Sequence, residues 1–260
     1  MTIKVLVAGF TGAMGQKAVN LVNDSEGFVL TGVFAAGLTS TTPADYNLPA
    51  DVAVFGDLAD IDTDAEIWID FTLPSAVYAD TKFAIEHGIH PVIGTTGLTD
   101  DQEAELQGLA KAKALGGIIA PNFGMSAVLL MKFAKEAATY FPDVEIIEMH
   151  HGDKADAPSG TALSTAKLID EVRPAHKQGN ENETETLANV RGGDYNGIRI
   201  HAVRLPGYLA HEQVLFGGPG EALTIRQDSF DRSSFMTGVK VAIDKVGGLS
   251  ELVIGLENVL

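Results

Sequence analysis

The chain has 260 residues, enough for one large domain or two ordinary ones with a real core. Apolar residues make up 45% and charged residues 20%, a balance that excludes an intrinsically disordered chain. A formal charge of −17 repels nucleic acid and anionic membranes, so neither is expected as a partner, and the lack of cysteine excludes disulfides, thiolate nucleophiles and Cys-based metal sites. The N-terminus enters a strand-like run at once without the form of a signal peptide, and no apolar run reaches membrane-span length, so a cytoplasmic protein is expected.

The first half alternates strand-length apolar runs with helix-period segments. Strands are expected at 3–9, 28–35, 66–71, 90–94 and 117–121, and helices at 13–23, 75–87 and 100–115. Nearly continuous apolar strands suit a parallel sheet covered on both faces, so this half reads as a doubly wound, Rossmann-like α/β domain. The pattern changes after Gly124. A helix is expected over 125–141, a strand over 144–150 and a helix over 160–172, then a polar, acidic loop over 175–196. Strands at 197–205, 211–217 and 222–227 lack full helices between them, which predicts a second, α+β domain with a mixed sheet. A helix over 233–246 is expected to return to the first domain. The resulting division is 1–124 with 232–260, and 125–231.

The segment VAGFTGAMGQKAV places Gly9, Gly12 and Gly15 between a strand and a helix. Glycines there let the backbone turn tightly and approach a diphosphate, which the helix N-terminus attracts. The spacing is G-x-x-G-x-x-G, not the usual G-x-G-x-x-G, and a turn selected only for tight packing is the plainer alternative. The second strand ends in Phe34-Ala35-Ala36-Gly37, with neither an acid for the ribose of NAD nor an arginine for the 2′-phosphate of NADP. Three later turns, DFTLPSA (70–76), GTTGL (94–98) and APNFGMS (120–126), fall at the carboxyl ends of strands, where a doubly wound sheet holds its ligand.

The segment EMHHGDKADAPSGTA (148–162) gathers His150, His151 and Lys154 ahead of a helix that Ser159-Gly160-Thr161 opens after Pro158, a residue tolerated near helix starts. Side chains alternate on a strand, so at most one of the two histidines continues to face the core. A histidine and a lysine near a helix N-terminus suit a small carboxylate substrate and can both act as general acids. The plainer alternative is that the histidines end a strand and Lys154 pairs with Asp153 or Asp156. No metal site is expected, since adjacent strand histidines do not converge on one ion and no third ligand matches them.

Taken together and in order, GFTGAMG, DFTLP, GTTG, APNF and EMHHGDKADAPSGTA resemble the dihydrodipicolinate (4-hydroxy-tetrahydrodipicolinate) reductase family. RGGDYNGIRIHAVRLPG and the region from Glu212 to Glu221 resemble its second domain. The resemblance implies reduction of a small dicarboxylate by NADPH or NADH in lysine and diaminopimelate biosynthesis. It implies that Gly9, Phe10, Thr11, Gly12, Ala13 and Met14 hold the pyrophosphate. Gly94, Thr95, Thr96, Ala120, Pro121, Asn122 and Phe123 would border the nicotinamide. His150 would exchange the proton and Lys154 would be the second donor, while His151, Ser159, Gly160 and Thr161 would bind substrate. A homotetramer built by the second-domain sheet is also implied. Ala13 and Gln16 stand where many members carry arginine near the glycine turn, and the acid after the second strand is missing, which leaves NADH against NADPH open. Asp153, between the histidines and the lysine, is placed to tune Lys154. Two rival readings share the glycine turn: a dehydrogenase of another amino or keto acid, and a nucleotide-sensing regulator without turnover.

Overall fold

The computed structural model describes residues 2–174 and 176–260; Met1, in the first expected domain, and residue 175, at the head of the expected loop, lie outside the described residues. In chain order the elements are β1 (Ile3–Ala8), α1 (Ala13–Asp24), β2 (Phe28–Phe34), β3 (Ala53–Phe55), β4 (Ile67–Asp70), α2 (Val77–Glu86), β5 (His90–Ile93), α3 (Asp100–Ala112), β6 (Gly117–Ile119), α4 (Met125–Ala138), β7 (Asp143–His150), α5 (Gly160–Asp170), β8 (Gly193–Tyr195), β9 (Ile198–Arg204), β10 (Ala210–Gly218), β11 (Glu221–Ser229), α6 (Ser234–Lys245) and β12 (Leu252–Ile254). The chain divides into two compact units, Met1–Phe123 with Phe235–Leu260, and Gly124–Ser234.

The first unit is a seven-stranded sheet in the order β12-β6-β5-β4-β1-β2-β3, with every neighbouring pair parallel. The apolar runs behave as their composition dictates. Val5, Leu6, Val7, Trp68, Ile69, Val92, Ile93 and Ile118 are fully buried, because a parallel sheet has no wet face. Local chemistry sets the helix ends. Thr99 and Gln102 form a reciprocal capping box at the start of α3, with acids in its first turn and Lys111 in its last. The second unit is a mixed sheet, β11-β10-β7-β9-β8, in which only β7 and β9 run parallel. Leu130, Ala134 and Ala138 of α4 and Ala162, Ala166 and Ile169 of α5 cover one face, packing on Val144, Ile146, Ile198, Val214 and Phe216.

Three strands depart from the sequence expectation. β3 and β12 were not anticipated, and β8 falls inside the segment expected to be loop. Each is three residues long, too short to show a period of two, and each sits at a sheet edge where pairing alone defines it. The helix expected over 75–87 runs over Val77–Glu86, and α5 begins at Gly160 as expected, with Ser159 as its N-cap and Pro158 just before it.

The return of α6 is tightly constrained. A β-carbon at Gly238 would come within 2.1 Å of the Phe123 carbonyl oxygen and 2.8 Å of Leu256. Backbone cannot yield as a flexible side chain can, so Gly238→Ala should cost about 1–3 kcal/mol and lower the melting temperature by several degrees, read by thermal unfolding.

Candidate active site

The glycine turn after β1 is built on backbone contact. Gly9 takes a φ of +76°, and a β-carbon there would lie 2.2 Å from the Phe71 carbonyl oxygen; one at Gly15 would lie 2.1 Å from that of Gly9. Neither position admits a side chain. Gly12 caps α1 with no side-chain hydrogen bond, and no acid occupies the first turn. The positive end of α1 is thereby left to an external anion, and the residues fit a dinucleotide diphosphate. Phe10 packs edge-on against Tyr46, with ring centroids 5.1 Å apart.

At the carboxyl ends of β4, β5 and β6 lie the other three turns, and Asp70 ties the first two of them together. Asp70 is fully buried. Its Oδ1 accepts the Thr72 amide at 2.9 Å, the Thr72 hydroxyl at 2.7 Å and the Thr95 hydroxyl at 2.7 Å, and its Oδ2 accepts Trp68 Nε1 at 3.1 Å. Thr95, in the turn after β5, is thus tied to the end of β4. The Thr72 hydroxyl also lies 3.1 Å from Asp80 Oδ2. A hydroxyl has one proton, and Asp70 takes it, so the bond to Asp80 must run from a protonated carboxyl to Thr72. Electrostatics agree: burial, and then the charge of Asp70, push the Asp80 carboxyl up to about 7 despite the contact with Thr72.

In the second unit, β7 alternates so that Val144, Ile146 and Glu148 point into the core. His150 continues on that face and His151 follows the strand. Glu148 has no solvent exposure, yet four donors surround it. Oε2 faces His150 Nδ1 at 2.6 Å and Arg204 at 2.7 Å; Oε1 accepts Arg204 at 2.7 Å and the Ser159 amide at 3.0 Å. Burial raises its carboxyl, but the bonds from His150 and Arg204 outweigh that and hold it down at about 2. Arg204 also donates to the Asp156 carbonyl at 2.7 Å, and the Leu205 amide donates to the His150 carbonyl at 3.1 Å. The loop from 151 to 159 is therefore fastened at both ends.

Lys154 pairs with Asp156 at 2.6 Å, not with Asp153, and it is the Asp156 carboxyl that this bond holds below the usual range. Ser159 caps α5 by accepting the Ala162 amide at 3.2 Å, so Gly160 and Thr161 form the helix's first turn. A side chain at Gly160 would project into open space, which leaves that end approachable. A cavity of about 480 Å³ beside the loop is lined by Ala157, Pro158, Leu163, Asp194, Tyr195 and His201, and neither His150 nor Lys154 contributes to it.

Sequence reasoning gave no role to Asp70, Glu148 or Arg204. A signal was present for the carboxylates. Glu148 occupies the inward register of Val144 and Ile146, and Asp70 ends the apolar run IWID. A charge at a core position demands partners.

Comparison with known proteins identifies the lineage. Family models described as dihydrodipicolinate reductase, N-terminus and C-terminus, match residues 3–123 and 126–260. The chain belongs to the dihydrodipicolinate reductase family. It is 68% identical over 262 residues to the 4-hydroxy-tetrahydrodipicolinate reductase of Lactobacillus helveticus, covering 100% of this chain and 99% of the relative. It is 53% identical to that of Enterococcus faecalis, over 99% of this chain and 100% of the relative. The dipicolinate-bound dihydrodipicolinate reductase from Paenisporosarcina superposes with a TM-score of 0.92 at 49% identity over the whole of both chains. A probable dehydrogenase from Thermotoga maritima shares the fold, with a TM-score of 0.66 at 10% identity over 99% of this chain and 92% of that one. Family membership makes the chain an oxidoreductase of lysine and diaminopimelate biosynthesis that uses NADH or NADPH.

The Asp70–Asp80 pair gives this reductase a pH-dependent stability term. Asp80 ordinarily titrates near 3.8 but in the fold holds its proton up to about 7. The folded protein keeps a proton that the unfolded chain releases, so this contribution falls as pH rises from about 4 to 7. Asp80→Asn mimics the protonated acid. It should stabilise the enzyme by on the order of 2–4 kcal/mol at pH 8 and leave it unchanged near pH 4, measured as melting temperatures at the two pH values.

Proposed function

We propose that the unit carrying the glycine turn binds the dinucleotide and that the mixed-sheet unit binds substrate through the loop from His150 to Thr161. The observation that carries this reading is the loop itself. His150 rests on Glu148, Lys154 meets only an exposed carboxylate, and α5 opens with a capped but approachable turn. On a protein of charge −17, such a concentration of donors suits a dicarboxylate.

The roles follow from chemistry. A reduced nicotinamide, when bound, supplies the hydride to an electron-poor ring carbon. The Gly9–Met14 turn holds the diphosphate, and Gly94, Thr95, Thr96 and Ala120–Phe123 border the nicotinamide, with Thr95 set in place by Asp70. His151, Ser159, Gly160 and Thr161 receive a substrate carboxylate at the N-terminus of α5. Lys154 exchanges Asp156 for the substrate, because a half-exposed ion pair is worth little and breaks easily. His150 then delivers the proton that balances the hydride, and Lys154 assists as the second donor and as water leaves the hydroxylated ring.

The assembly proposed is a homotetramer. Its support is the second unit's sheet, whose helices cover one face while Ile147, Val203 and Leu215 on the other are half-exposed. Cytoplasmic location is proposed with it; no helix among the described residues is long and apolar enough to cross a membrane.

The deciding experiment follows NADPH and NADH absorbance with substrate freshly formed from aspartate semialdehyde and pyruvate. Turnover supports the reading, and cofactor binding without turnover refutes it. His150→Gln should keep fold and cofactor affinity while lowering kcat by about 10²–10⁴-fold; an unchanged kcat with a raised KM would reduce His150 to a binding residue.

Lys154 separates charge from proton delivery. Lys154→Ala should lose both binding and rate. Lys154→Arg keeps the charge on a group that does not deprotonate near neutrality, so it should recover part of the KM and little of the kcat. A Lys154→Arg enzyme with nearly full kcat, beside a Lys154→Ala enzyme altered mainly in melting temperature, would assign the lysine to the Asp156 pair alone.

A further inference from the structure

We infer that Glu148 is a positioning residue that fixes the tautomer of His150, so that Nε2 is the nitrogen that exchanges a proton with substrate. The role of His150 in turnover rests on the function proposed above; the tautomer does not.

The argument is an inventory of protons. His150 Nδ1 lies 2.6 Å from Glu148 Oε2. The same carboxylate accepts both terminal nitrogens of Arg204 and the Ser159 amide, and all of these are obligate donors. A carboxyl group so surrounded has no use for a proton of its own, and its low proton affinity agrees. The hydrogen between Glu148 and His150 therefore sits on Nδ1 in the neutral ring as in the cation. The remaining nitrogen, Nε2, is the one that cycles between donor and acceptor.

A neighbour shows why the charge stays on Glu148. Glu212 of β10 stands directly opposite Glu148 of β7 in the antiparallel register, on the same face of the sheet. It is 1% exposed, and its Oε1 finds no hydrogen-bond partner among the described residues. Its other contact is the Thr165 hydroxyl, which lies 3.0 Å from the Thr161 carbonyl. With that hydroxyl's proton directed to Thr161, Thr165 can only accept from Glu212. Two opposed buried carboxylates cannot both be charged, and the donors decide which one is. Glu148 has all of them and ionises; Glu212 keeps its proton, and burial pushes it up to about 7. The negative charge that orients His150 is thus localised on one residue and held rigidly by Arg204, itself anchored to the loop.

Glu148→Gln tests the role. The amide can turn either its oxygen or its NH₂ toward Nδ1, so the tautomer is no longer dictated. The expected result is a loss of kcat of about 10²-fold or more, with KM and NADPH affinity within a few-fold of wild type. A folded Glu148→Gln enzyme with unchanged kcat overturns the role. Should that variant fail to fold, the wild-type enzyme decides: nitrogen-15 spectra of its histidines, with the His150 signal assigned by its loss in His150→Gln, should show the neutral ring protonated at Nδ1. A ring protonated at Nε2 overturns the inference. If instead His150→Gln retains full activity, the proposed proton donor fails, while the tautomer still stands or falls on the spectrum.

Discussion

The second unit is organised around one buried carboxylate. A charge with no solvent exposure is tolerated only where the protein replaces its water shell, and Glu148 requires four donors to do so. Those donors come from a neighbouring residue of its own strand, from a guanidinium on the adjacent strand and from the backbone at the head of α5. Meeting the needs of one side chain therefore brings together the His150 end of β7, β9 and the loop that carries Lys154 and Ser159. Removing one partner of such a buried, hydrogen-bonded pair typically costs about 3–5 kcal/mol. Arg204 extends the constraint by holding the Asp156 carbonyl, so the loop is ordered by main-chain bonds while the Lys154 side chain remains on an exchangeable partner.

Each unit contains the same device. Asp70 and Asp80 in the first, and Glu148 and Glu212 in the second, are close carboxyl pairs with unequal surroundings. In both, hydrogen-bond donors converge on one member, Asp70 or Glu148, and leave the other with burial as the dominant influence that raises its carboxyl. In both, the member that gathers the donors steadies a residue of the proposed site, Thr95 in one case and His150 in the other. A charge with fixed donors provides a rigid reference point, and its protonated neighbour prevents that charge from migrating.

Much of this architecture can be read from the chain. Long apolar strands and strong helix periods reveal the parallel sheet, and α3 carries its own boundary signals in Thr99, Gln102 and Lys111. β3, β8 and β12 escape because three residues carry no period and their identity lies in their neighbours. The cluster from His150 to Thr161 is visible because its residues are contiguous. Its supports are not, for Arg204 lies 56 positions beyond Glu148 and only the parallel pairing of β7 with β9 brings them together. The choice of Asp156 over Asp153 as the partner of Lys154 depends on how the loop folds, which local sequence leaves open.

The first unit is assembled from both ends of the chain, with β12 completing the sheet beside β6 and α6 resting on the Phe123 turn. During synthesis the strands from β1 to β6 emerge well before β12, which closes their open edge. The mixed-sheet unit lies wholly between them and can complete its own core first. Until β12 arrives, β6 exposes unpaired backbone to other nascent chains, the circumstance in which edge-to-edge association begins. A chain cut short before β12 would hold a finished mixed-sheet unit beside a seven-stranded sheet that lacks its edge strand.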